Sequence, residues 1–441
     1  MPEVTLDILS EWDEKICELA RSQGLDWYPL AYETCDYREM IGHMSYHGMP
    51  SHYAHWSYGK SFERTHFMYN AGSEGLPYEL IINSNPSIAY LMLENPLYLQ
   101  ILIMAHCVGH SDFFKMNRTF KDTDAETVTM RFRNAAKRIK GYIEDPSIGI
   151  EAVEKVIDAC HAISYQTDRR GRTRLDEKDL KKKYSEIVKN DEKGEWKDFN
   201  LEKIPLEPEF DVLRFISENN PKLHEWQKDI IRIIREESLY FWPQIRTKVM
   251  NEGWASFWHY RILHLLELPD ELHLPFLKTH NAVLRPWGLK INPYHLGFEI
   301  FKDIEARFGI EECFLAREVC NDENFILQYL TEEKARELNL FTFSPKGSKK
   351  KNPDWTIDDI VEDDDSWNEV RAALLLSVAG NMIPVIYVDE LKGDTLILRH
   401  EHDGRDLELD YADNCIALLK NIWHGEIKLM TEIEEEDFEV S

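Results

Sequence analysis

The chain has 441 residues, with 52 Lys+Arg against 80 Asp+Glu and a formal net charge of −28. At roughly 100–200 residues per domain this length suggests two domains, with three as the alternative, and 12 Trp, 19 Tyr and 20 Phe supply a core that a disordered chain would lack. The acidity excludes a general nucleic-acid binder or a protein held on anionic lipid, since both need concentrated Lys and Arg.

In chain order, Leu9, Trp12, Ile16 and Leu19 follow helical spacing up to Gly24, a glycine C-cap. A second helix is expected from Asp36 to His47, stopping at Gly48 with Pro50 beyond. Asn95-Pro96 reads as a helix start, with Asn as N-cap and Pro at the first helical position, and this helix runs to about Asn117. Further helical patterns cover Asp124–Tyr142 and Ser147–Tyr165. Asn220-Pro221 opens a helix through Ser238 that Trp242-Pro243 breaks, and the next runs from Pro243 to Leu266. Residues 168–211, dense in Lys, Asp and Glu, read as a charged excursion from the core.

The stretch Ser344–Ser366, with Lys349–Lys351 and Glu362–Asp365, reads as a linker. After it a helix is expected over Trp367–Ala379. A β-hairpin follows, Ile383–Val388 and Thr395–Arg399 around Lys392-Gly393-Asp394. A helix at Tyr411–Trp423, a strand at Glu426–Met430 and a frayed acidic tail, Glu432–Ser441, complete the chain. The expected fold is mainly α: a helical core over 1–345, a linker at 346–366 and a small C-terminal α+β domain at 367–441.

The start Met1-Pro2-Glu3-Val4 lacks an apolar leader. The most apolar stretches, Ile101–Gly109 and Ala372–Val388, fall short of the roughly 20 residues that a membrane span needs. Seven scattered cysteines with no CxxC pair read as reduced thiols. These features predict a cytoplasmic protein with no membrane insertion.

The third helix carries His106 and His110, four apart and therefore on one face. That face, through Leu99, Ile103, His106, His110 and Phe113, is the apolar stripe, so both imidazoles are expected in the core. The helix after Pro243 has the stripe Val249, Glu252, Ser256, His259 and Leu263. Trp254, Phe257 and Trp258 make it apolar nearly all round, which means burial. A buried carboxylate is costly unless paired, hydrogen-bonded or bound to metal. Two His and one Glu from two buried helices form a three-ligand set with an open fourth position, as catalytic zinc sites do. The competing reading is a hydrogen-bonded core network.

In HExxH zinc peptidases the Glu after the first His is the general base; here that position is Cys107. A base would have to come from Glu33, Glu63 or Glu79, whose surroundings are rich in aromatics and His. His55 or His259 would serve as a fourth ligand, an acid or a supporting group. Asn251-Glu252-Gly253-Trp254-Ala255 is similar to the NEG-aromatic-Ala segment of zinc aminopeptidases, in which Glu is the third ligand. Weaker signals are set aside: Ala54 through Gly59-Lys60-Ser61 lacks the first P-loop glycine and a preceding strand, and Glu63 with His66 is a lone ExxH where a di-iron bundle wants two.

The chain resembles the stage V sporulation protein R (SpoVR) family. The likeness rests on Gly48-Met49-Pro50, His55-Trp56-Ser57-Tyr58-Gly59-Lys60, Ile82-Asn83-Ser84-Asn85-Pro86, Ala105-His106 to His110, and Asp112-Phe113-Phe114-Lys115. It continues with Met250–His259 and Asn292-Pro293-Tyr294 with Leu296-Gly297. The resemblance implies a role in forming the spore cortex, a peptidoglycan layer, or in a related stress or envelope pathway. It also implies a serine protein kinase and a von Willebrand A-like protein as partners. Together with the residues it predicts a zincin-like (gluzincin-like) helical metalloprotein, binding Zn or alternatively Fe, that hydrolyses an amide in a peptide or cell-wall fragment. The alternative is a non-catalytic regulatory or scaffold protein.

Overall fold

The computed structural model describes residues 5–71, 79–169, 171, 177–191, 193–196, 199–346, 354–433 and 436–440. In chain order, α1 (Leu6–Ser22) leads to β1 (Leu30–Cys35), α2 (Tyr37–Ser45), α3 (Trp56–Asn70), β2 (Glu79–Ile82) and β3 (Ser87–Met92). Then come α4 (Leu97–Met116), α5 (Val128–Glu144), α6 (Ile150–Ala162), α7 (Glu177–Lys189), α8 (Val212–Asn219), α9 (Glu225–Arg246), α10 (Lys248–Leu265) and α11 (Asp270–Val283). The chain continues through α12 (Pro293–Phe308), α13 (Ile310–Val319), α14 (Asp322–Tyr329), α15 (Glu332–Glu337), β4 (Phe341–Lys346), β5 (Asp354–Ile360) and α16 (Asp364–Ser377). It closes with β6 (Ile386–Lys392), β7 (Thr395–His400), α17 (Leu409–Trp423), β8 (Ile427–Ile433) and β9 (Glu436–Val440). The protein is thus mainly helical, with a small strand-containing C-terminal region. No described helix is long and apolar enough to cross a membrane.

The chain divides into two compact units, Met1–Asn134 with Pro243–Met382, and Ala135–Trp242 with Ile383–Ser441. In the first, α4 and α10 run through the centre of a single apolar core that also takes in α1, α12, α13 and α14. A three-stranded sheet in the order β1-β3-β2 belongs to the same unit; β1 pairs parallel to β3, and β2 antiparallel to it, with Glu79 opposite Leu91. In the second unit β6-β7-β8-β9 form a sheet whose central pair, β7 and β8, is parallel, the connection being α17, which packs on β8 and on α6.

Local chemistry explains most boundaries. Asp36 caps α2, accepting from Arg38 and Glu39 N–H while the Glu39 carboxylate accepts from Asp36 N–H. Asn292 caps α12 and Pro293 takes its first position. Several expectations need correction. Pro96, not Asn95, is the N-cap of α4. Asn220 ends α8 instead of opening a helix, and α9 begins at Glu225. Pro243 does not end that helix: its ring sits inside the last turn, and the break falls at Thr247, whose hydroxyl donates to the Pro243 carbonyl at 2.7 Å. Residues 436–440 of the tail are not frayed but form β9, paired antiparallel to β8. The stretch 344–366 holds strand β5, which pairs with β4, while Lys349–Lys351 lie outside the described residues. Residues 367–382 of the expected C-terminal domain fall in the first unit and 383–441 in the second.

Candidate metal centre

The geometry of the centre starts with three glycines. A Cβ built on Gly109 of α4 would lie 2.7 Å from Cα of Ala255 on α10, so the two helices touch backbone to backbone there. On its other flank α10 meets α12 in the same manner: a Cβ on Gly297 would lie 2.1 Å from the Val249 carbonyl oxygen, and one on Gly253 would lie 2.4 Å from Cα of Gly297. Helix axes with ordinary side chains between them stand about 8–10 Å apart; glycine permits a closer approach. As a result His106 and His110, flanking Gly109 on α4, face Glu252, which precedes Gly253 on α10.

Polar cross-links hold this register. The Asp112 carboxylate, fully buried, accepts from Trp254 Nε1 at 2.8 Å and Asp26 N–H at 2.8 Å, and pairs with Arg317 at 3.2 Å. Burial pushes Asp112 up to about 6, with Arg317 and the two donors opposing. The start of α10 has no cap of its own. Asp322, the first residue of α14, instead accepts from Val249 N–H at 2.9 Å and Met250 N–H at 2.8 Å.

Within this frame Glu79, His106, His110 and Glu252 each offer one ligand atom, and these atoms all lie within 4.8 Å of one another. His106 Nε2 is 3.5 Å from Glu79 Oε1 and 3.7 Å from Glu252 Oε2; His110 Nε2 is 3.4 Å from the same Glu252 oxygen. These separations are too long for hydrogen bonds of normal geometry. His106 Nε2 and Glu252 Oε2 are both buried without a hydrogen-bond partner, the pattern expected of atoms kept for an ion. The other atom of each group is anchored: His110 Nδ1 bonds Asn251 Oδ1 at 2.8 Å, His106 Nδ1 bonds His259 Nδ1 at 2.8 Å, and Glu252 Oε1 pairs with the ammonium of Lys248. Anchoring the far nitrogen of a ligand imidazole fixes the orientation of its ring.

The electrostatics agree. Burial alone would raise Glu252, but Lys248 and the two imidazoles hold it well below the usual carboxylate range. Burial likewise lowers His110, and Glu252 with Asn251 more than compensates, leaving it raised; a proton on His110 Nε2 occupies the direction a cation would take. Tyr294, at the start of α12, stacks on His106 with ring centroids 6.1 Å apart. Burial and the charges of Glu252 and Glu79 push its phenol well up. Glu79 is the open side of the set, with 13% of its side chain exposed against 7% or less for the other three.

Four of the candidate residues therefore converge: His106, His110, Glu252 and Glu79. His259 is adjacent, bridging His106 to His280. His55 is the N-cap of α3, its ring Nδ1 bonded to the Ser57 hydroxyl at 2.8 Å; Glu33 is exposed on β1 and Glu63 on α3, and none of the three is in the cluster. Tyr294, Lys248 and His280 went unnoticed as site residues in sequence. A spacing signal existed for Lys248, which stands four before Glu252; none existed for the other two, which come from α12 and α11.

The model of the family described as "SpoVR like protein" matches residues 3–382. "Uncharacterized protein YcgB" of Escherichia coli (strain K12) is 36% identical, the match covering 77% of this chain and 75% of that one. The chain belongs to the SpoVR family. No solved structure matches it. All four clustered residues lie inside the span that defines the family.

Proposed function

We propose that this SpoVR-family chain is a metal-dependent hydrolase with a zincin-like core, in which His106, His110 and Glu252 hold a divalent cation. Zinc is the first choice and iron the alternative. The observation that carries this reading is the pair of orphaned buried atoms, His106 Nε2 and Glu252 Oε2, 3.7 Å apart with His110 and Glu79 around them. Two imidazoles and a carboxylate suit zinc, and an open position is what catalysis requires. Such a cation lowers the pKa of water and polarises a carbonyl.

The remaining roles follow from position. Glu79 is the carboxylate nearest solvent and the member least anchored by other bonds, so it is the group placed to take a proton from an attacking water. It thereby replaces the HExxH glutamate, since Cys107 is fully buried and its thiol is pushed well up. Tyr294, kept protonated by burial and the neighbouring carboxylates, is placed to donate to a substrate oxygen. Lys248 offsets the charge of Glu252. The substrate class that fits is an amide in a peptide or cell-wall fragment, in a cytoplasmic step connected with the spore cortex or a related stress or envelope pathway.

Incubating zinc-loaded full-length protein with peptidoglycan stem peptides tests this reading. New amine should appear with wild type and fall at least about a hundredfold in Glu79→Gln, which keeps its metal. Equal rates in the two proteins would remove Glu79 as base, and no release from any peptide would remove the hydrolase reading. A regulatory protein acting with a serine protein kinase and a von Willebrand A-like partner is the second reading, favoured by Cys107 in the place of the glutamate. It predicts capture of those partners by the full chain whether or not Glu79 is intact.

A further inference from the structure

Behind His106 stands a chain of two more imidazoles. His106 Nδ1 lies 2.8 Å from His259 Nδ1, and His259 Nε2 lies 2.8 Å from His280 Nδ1. His259 is 1% exposed and His280 3%. They come from α10 and α11, and neither belongs to the four-residue cluster. His280 is walled by the rings of Tyr260, Phe276 and Phe298.

A neutral imidazole has one donor nitrogen and one acceptor nitrogen. Each of the two links needs one of each, so three neutral rings have two arrangements only. In the first, His106 Nδ1–H donates to His259 Nδ1, and His259 Nε2–H donates to His280 Nδ1. His106 then presents a lone pair at Nε2 to Glu79 and Glu252. In the second, every link is reversed, and His106 presents Nε2–H to the two carboxylates. A cation between His106 and Glu252 is compatible with the first arrangement alone. Without a cation, the carboxylate oxygens of Glu79 and Glu252 facing Nε2 favour the second, because they can only accept. His110 has no such freedom, because its Nδ1 faces an amide oxygen, Asn251 Oδ1, which only accepts.

We propose that His259 and His280 are positioning residues for the metal centre, forming with His106 a chain of hydrogen bonds whose direction reverses when the cation enters. This rests on the reading above, in that it takes His106 as a ligand. The proton balance closes. One proton leaves His106 Nε2 to water, the proton on His259 Nδ1 crosses to His106, the proton on His280 Nδ1 crosses to His259, and one is taken up from water at His280 Nε2. The three rings stay neutral throughout. Metal occupancy is thereby registered at His280, two side chains from the ion.

The test uses the full-length protein and a residue that touches no ligand. Zinc affinity is measured by competition with a chelator in wild type, His280→Leu and His280→Asn. Leucine removes the acceptor for His259 Nε2–H, whereas the Asn amide oxygen stands where Nδ1 stood. We expect His280→Leu to bind zinc about tenfold or more weakly and His280→Asn to return to within about threefold of wild type. A packing role alone would not separate the two variants. In copper-loaded protein, the electron spin-echo modulation from the remote nitrogen of His106 should change in His280→Leu, while that from His110, held by Asn251, stays constant. Equal zinc affinity in wild type and His280→Leu, or equal losses in the leucine and asparagine variants, would overturn the proposal and leave the metal centre standing. Absence of zinc binding in wild type would instead overturn the metal centre, and the chain's role with it.

Discussion

The contact between α10 and α12 makes a prediction whose sign is unusual. Replacing a helical glycine by alanine ordinarily stabilises a helix by about 1 kcal/mol. Gly59 of α3 is such a position, with open space where its Cβ would go. At Gly297 the added carbon would lie 2.1 Å from the Val249 carbonyl and 2.7 Å from Cα of Gly253. Both neighbours are backbone, so no side chain can swing aside, and the helices must part by more than about 1 Å to reach ordinary contact. Overpacking of this kind costs about 1–3 kcal/mol, occasionally more, and a clash with rigid backbone belongs at the upper end. After the gain in helix propensity, Gly297→Ala should lose about 2 kcal/mol, and Gly59→Ala should gain up to about 1. In a unit of this size that amounts to a midpoint lowered by about 4 °C for the first and raised by about 2 °C for the second. Thermal unfolding followed by circular dichroism measures both. Zinc binding by Gly297→Ala should also weaken, because parting the helices moves Tyr294 and Glu252. A Gly297→Ala protein as stable as wild type would refute the backbone-to-backbone contact on which the site's geometry depends.

Three further outcomes follow from the same physics. Asp322→Ala removes the side chain that caps α10 from α14 and should cost about 1–2 kcal/mol in urea unfolding; an unchanged midpoint would show that water caps the helix equally well. Arg317→Leu leaves Asp112 buried without its cation and should cost about 3–5 kcal/mol, while Arg317→Leu combined with Asp112→Asn should recover part of that loss; a single variant of wild-type stability would contradict the pairing. The imidazole of His280 is lowered to about 4 by burial, whereas the unfolded chain protonates it near 6.5. Its contribution to stability is therefore complete above pH 6.5 and is lost as the pH falls through 6.5 to 4, by about 3 kcal/mol at most. Metal-free wild type should show this acid loss in denaturant midpoints and His280→Asn should show less; an identical pH dependence would contradict it.

The sequence revealed the two central helices because they break the usual pattern: α4 and α10 are apolar nearly all round yet carry His106, His110, Glu252 and His259 where core residues belong. Periodicity places such groups on a face, and four-residue spacing pairs His106 with His110. What periodicity cannot give is the approach of one helix to another. The meeting of Gly109 with Ala255 and of Gly253 with Gly297 is tertiary, and without it Tyr294 is only the second residue of an Asn-Pro-Tyr helix start. The sheet β1-β3-β2 escaped notice because its strands are four to six residues long and because β1 pairs with β3 across the intervening α2, α3 and β2. Glu79 was therefore singled out by its surroundings, without the strand that carries it to the cluster. Pro243 misled for a related reason: its usual helix-breaking effect was offset in the final turn of α9, and the break moved to Thr247.

Elemental analysis of the purified full-length protein tests most directly whether His106, His110 and Glu252 converge on one cation. We predict one zinc or iron ion per wild-type chain, and less than about one tenth of that in His106→Ala and in Glu252→Ala, each folded by circular dichroism. Wild-type protein that carries no stoichiometric metal, or variants that keep it, would contradict the account.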